Sequence, residues 1–183
     1  TSMTNSAIDK SNYKLDNKAL PTGTLAYFDT NTETVKIELP TGSINNSEDV
    51  VLTVSSSVVS QAGAKLDAAS RNQVVSGLVD NVKPTLVSAK KLSATTIEAT
   101  FSENLAVVVD SGTSQDDFVV KVNGVAFTVT AVTDGARDNK VVLTVADFNV
   151  DQNVTVTMAD SAIEIADIAT NTAVAKTSVT ATK

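Results

Sequence analysis

Apolar and polar residues alternate with a period of two through most of this sequence, and that period sends successive side chains to opposite faces of an extended chain. Helical spacing hardly occurs. Between Thr96 and Ser102, Ile97, Ala99 and Phe101 share one face while Glu98, Thr100 and Ser102 share the other, which describes a half-buried strand. Val141, Leu143 and Val145 alternate in the same way with Val142 and Thr144, as do Val154, Val156 and Met158 with Thr155 and Thr157. Abundant Val and Thr point to the same state, because branched side chains fit a pleated surface.

Turn signals separate these runs: Asn123-Gly124, Asp134-Gly135 and the stretch from Asp147 to Gln152. From residue 85 onward the pattern predicts seven strands, at 85–90, 95–102, 118–122, 127–132, 140–145, 153–158 and 173–180. Seven short strands at this spacing read as a complete immunoglobulin-like β-sandwich over 85–183. Residues 80–84 then form a linker.

The first half repeats the second. Tyr13–Leu20 lines up with Val120–Phe127, Val35–Leu39 with Val141–Val145, and Val50–Val54 with Val154–Met158, about 105 residues apart. Asp67–Asn72 answers Asp167–Asn171. Residues 1–79 therefore read as a partial domain of the same type that lacks counterparts of the first two strands. The expectation is all-β architecture: tandem immunoglobulin-like sandwiches, cut from a longer array, with Thr1-Ser2-Met3 a remnant of cloning. A five-stranded first domain has an open edge and an uncovered core, which a neighbouring molecule or a rearranged N-terminus is expected to cover.

Composition narrows the chemistry. The 183 residues contain no Cys, His or Trp, so a Ser-His-Asp triad, a Cys-His pair, a His-ligated zinc and a Cys-ligated iron–sulfur cluster are excluded by residue type. No enzymatic role is expected. Asp116-Asp117 and the pair Asp134/Asp138 are nominal carboxylates for glycoside hydrolysis, but few aromatic residues are present to stack on a sugar. The formal charge is −7 and the basic residues are scattered, which gives no footprint for nucleic acid. No apolar run reaches the roughly 18 residues needed to cross a bilayer, so membrane insertion is not expected. Tyr13, Tyr27, Phe28, Phe101, Phe118, Phe127 and Phe148 fall mostly at strand positions and are expected in cores.

Carboxylates remain. In a sandwich of immunoglobulin connectivity the loops after the second, fourth and sixth strands lie at the end where the chain enters. Those loops carry Glu103, Asp110, Asp116 and Asp117, then Asp134 and Asp138, then Asp160, Glu164 and Asp167. Asp80 in the linker and Glu48 and Asp49 in the first domain face the same junction. Hard oxygen ligands from several loops suit Ca²⁺, which takes six to eight. The expected metal ligands are Asp80, Glu103, Asp134, Asp138, Asp167 and Asn171. Ordinary solvated turn residues are the alternative for the same positions.

Lys83-Pro84-Thr85-Leu86-Val87-Ser88-Ala89, followed by Thr95-Thr96-Ile97-Glu98-Ala99-Thr100-Phe101-Ser102-Glu103, resembles the immunoglobulin-like domains of bacterial surface-layer proteins. Asp167–Asn171 is similar to the Asp-x-x-Gly-Asn turn such domains often carry before the last strand, with Thr170 in place of Gly. The resemblance implies a secreted structural protein of the cell surface and cell wall. It would self-associate into a two-dimensional lattice, with calcium at domain junctions and other immunoglobulin-like domains of the same parent protein as neighbours. Secreted adhesins and multidomain hydrolases use similar modules, so a binding or spacer module of such a protein is the alternative.

Overall fold

The computed structural model describes residues 1–45, 47–106, 113–135, 137–160 and 163–183, whose regular structure is β-strand with short 3₁₀ turns. The chain divides into two units, Thr1–Val82 and Lys83–Lys183. The first holds β1 (Tyr13–Leu15), β2 (Lys18–Ala19), β3 (Leu25–Phe28), β4 (Val35–Glu38), β5 (Val50–Val54) and β6 (Asn72–Val75). The second holds β7 (Leu86–Lys91), β8 (Thr96–Phe101), β9 (Phe118–Val122), β10 (Val125–Phe127), β11 (Val129–Asp134), β12 (Lys140–Val145), β13 (Val154–Met158) and β14 (Ser178–Thr182).

In the second unit the strand order is β10-β9-β13-β14-β7-β8-β12-β11. Every pairing is antiparallel except β14 with β7, which run parallel and join the two four-stranded halves. Alternation closes the structure. Ile97, Ala99 and Phe101 of β8, Val141, Leu143 and Val145 of β12, Phe118, Val120 and Val122 of β9, and Val154, Val156 and Met158 of β13 point into one shared core. The two halves are thus the layers of a β-sandwich, with Phe101 and Phe118 meeting edge to face across it at 6.5 Å.

Eight strands replace the seven that the pattern predicts. The run at 127–132 breaks at Thr128, where the chain leaves the β9 layer for the β12 layer. A register shift follows between Val129 and Ala131, so that Val129 and Val132, three apart, are both buried. The expected strand at 173–180 forms only from Ser178. Before it, Ala173 donates its N–H to Ile165 and Lys176 sits in a left-handed turn (φ 60°).

The first unit reuses this plan in part. Its sheet β2-β1-β5-β6 has the order of β10-β9-β13-β14, and the β3-β4 hairpin corresponds to β11-β12. The match reaches individual hydrogen bonds. Asp16 and Asn17 turn with positive φ (47° and 63°) as Asn123 and Gly124 do (48° and 83°), the left-handed pair that a two-residue hairpin requires. Val51 N–H donates to Asp16 Oδ1 as Asn153 N–H donates to Asn123 Oδ1.

Two details of the expected repeat are corrected by the pairings. Tyr13 lies opposite Val54 and Val120 opposite Val156, which shifts the β5 equivalence by two residues and leaves its faces unchanged. The counterpart of Asp167–Asn171 is Ser60–Ala64 rather than Asp67–Asn72. Ser60 N–H bonds the Ala64 carbonyl and Ser60 Oγ accepts from Ala64 N–H, as Asp167 does with Asn171, while Gly63 (φ 80°) stands where Thr170 (φ 71°) stands. Asp67 instead caps a single 3₁₀ turn, Ala68–Ser70.

Candidate functional site

Three loops of the second unit meet at one end of its sandwich. Leu105 N–H bonds the Asp138 carbonyl and Ala106 N–H the Ala166 carbonyl, each at 2.9 Å, and Leu105 forms a bridge with Asp167. These backbone bonds tie the loop after β8 to the β11–β12 loop and to the segment before β14. An open cavity of 330 Å³ lies among them, lined by Leu105, Asp134, Gly135, Arg137, Asp138 and Ile168. Gly135 is fixed here by close approach, since a Cβ on it would stand 2.6 Å from Lys140 Cβ. Asp134-Gly135 accordingly begins a longer loop rather than forming a two-residue turn.

The six expected ligands have distinct surroundings. Asp134 and Asp138 line the cavity together with Arg137. Glu103 and Asp167 bring carboxylate oxygens within 4.8 Å of one another. Asp167 is 4% exposed and braces its own turn, Oδ1 accepting Asn171 N–H and Oδ2 accepting Asn171 Nδ2, both at 2.8 Å. Asn171 thus donates to the acid from backbone and side chain. Asp80 belongs to the first unit, where its N–H bonds Ser47 Oγ and its Oδ1 accepts Val82 N–H.

Other acids resolve into structural contacts. Asp160 pairs with Lys176 at 3.4 Å on the surface, and Glu164 accepts Thr113 Oγ1. Asp110 lies outside the described residues. Asp117 is 1% exposed and accepts N–H bonds from Glu164 and Ile165, so it fastens the segment before Asp167 to the start of β9. Burial pushes its carboxyl above the ordinary value of 3.8. The two N–H donors oppose that shift, and the neighbouring charges of Glu164 and Asp116 add to it. This brace has no signature in the sequence, where Asp116-Asp117 reads as a nominal catalytic pair.

The first unit carries a second feature. An apolar groove of 240 Å³ lies between its sheet and its hairpin, with Leu15, Leu52 and Val75 on one side and Val35, Ile37 and Leu39 on the other. The spacing of Val35, Ile37 and Leu39 announces an apolar face, and the structure sets that face on the groove. Among the described residues no helix is long and apolar enough to cross a membrane.

No protein-family model matches the chain, and no curated protein matches it. Among solved structures it is similar to the N-terminal part of the bacterial S-layer protein SbsC, with a TM-score of 0.43 and 17% identity. The match covers 55% of this chain and 23% of that one.

Proposed function

We propose that this chain is part of a secreted, non-catalytic structural protein of the bacterial surface, built of tandem immunoglobulin-like sandwiches that self-assemble into a surface lattice. The observation that carries the reading is the repeated strand plan, taken with the surface-layer-like motif from Lys83 to Glu103. The order β7-β8-β12-β11 against β10-β9-β13-β14 supports the immunoglobulin-type reading, with one edge strand added. Tandem copies of a unit without Cys or His suit spacing and presentation, and the negative charge suits a cation-rich exterior.

Calcium is the proposed cofactor, held at the acidic end of the second unit where Glu103, Asp134, Asp138 and Asp167 gather. The test is assembly of the full chain in calcium and in chelator, followed by electron microscopy and sedimentation. Ordered sheets or higher oligomers are expected in calcium. Retention on wall polysaccharide by a chain that stays monomeric would favour an adhesin or hydrolase spacer instead. Identical thermal midpoints in calcium and in chelator would remove the metal from the proposal.

A further inference from the structure

In the second unit β7 and β8 lie between β14 and β12. The first unit repeats the other six strands, and among its described residues β6 and β4, the counterparts of β14 and β12, each end a sheet. The apolar groove opens between them, faced by Val75 from β6 and by Val35 and Ile37 from β4. In the second unit the same place is filled by Leu86, Ala89, Ile97, Ala99 and Phe101, each at most 3% exposed.

We propose that this groove is a docking site for a two-stranded antiparallel ribbon of another polypeptide segment, apolar at alternate positions on its inner face. One strand pairs in parallel with β6, as β7 does with β14, and the other antiparallel with β4, as β8 does with β12. Charge specifies the outer face. The hairpins align through Asp29 N–H to Thr34 O and Gly135 N–H to Lys140 O, which sets Lys36 in the place of Val142, directly across from Glu98. In the second unit Glu98 reaches Lys140 on that face at 2.6 Å, and an acid at the same place of the incoming strand faces Lys36 in its stead. The Lys36 side chain is half exposed and pairs with Asp29, itself about one-third exposed, at 2.8 Å. The inference concerns the first unit alone and holds whether or not the chain forms a lattice.

The probe is a synthetic peptide with the sequence of residues 83–103, added to the full 183-residue chain. Amide hydrogen exchange is the readout. The expected result is at least about tenfold slower exchange in β4 and β6, weakened by Lys36→Glu in the chain and abolished by Ile97→Asp in the peptide. Because the peptide alone can fail to stay extended and soluble, a second form carries the same 21 residues fused directly before Thr1, with the same Ile97→Asp control inside the fused copy. Unchanged exchange in β4 and β6 in the fused chain would overturn the proposal. So would concentration-dependent protection of these strands in the unmodified chain, which would make the occupant a second copy.

Discussion

Thr170 shows how one residue can be correct in sequence position and costly in conformation. It takes φ 71°, where a branched side chain crowds the backbone, while its counterpart Gly63 takes φ 80° without that penalty. Thr170 is exposed. Thr170→Gly should therefore stabilise the second unit by roughly 0.5–1 kcal/mol, the relief of left-handed strain less the entropy glycine gains when unfolded. Urea denaturation followed by circular dichroism measures it, and a lower midpoint would contradict the strain assignment. At Asp117 the sign runs with pH. Ionising a carboxyl whose folded value lies above 3.8 is harder in the folded chain than in the unfolded one, chiefly through burial. Its contribution is complete below pH 3.8 and is lost as pH rises through the higher folded value. Asp117→Asn should flatten that part of the stability–pH curve, and an unchanged slope would locate the titration elsewhere.

Among the elements, the strands at the centre of each layer follow the binary pattern closely, because β8, β9, β12 and β13 each have neighbours on both sides and a buried face. The edges do not follow it. At Thr128 the chain changes layers, a decision that depends on which neighbour has an unfilled edge rather than on the local run of side chains. The β11–β12 loop depends on close approach at Gly135. Gly135→Ala should cost about 1–3 kcal/mol, since the new methyl meets the Lys140 backbone as well as its side chain and neither can yield cheaply. The same change should move the loop that carries Asp134 and Asp138. Equal unfolding midpoints for the variant and the parent would show that the loop accommodates the methyl.

For the whole molecule, the two units differ in how much core they own. All 21 residues of the buried apolar cluster lie in the second unit, whereas the buried apolar residues described in the first are Ala7, Tyr13 and Val58. Backbone amides in 1–82 should accordingly exchange faster than those of β8, β9, β12 and β13, by more than about tenfold. Residues 83–183 produced alone should keep their fold. Comparable protection in both units, or unfolding of the isolated second unit, would refute this division of stability.

Sequence alone determined the strand character, the faces of β8, β12 and β13, the repeat of the hairpin at Asn123-Gly124 and the exclusion of His- and Cys-based chemistry. These are local properties: a period of two, a left-handed dipeptide and a residue inventory need no partner to be read. Tertiary structure decided that the run at 127–132 breaks at Thr128, that the last strand starts only at Ser178, that Ser60–Ala64 answers Asp167–Asn171, and that Asp117 is a brace. Each of these depends on segments distant in sequence competing for the same backbone edge or the same buried volume, and alternation carries no information about which of them wins.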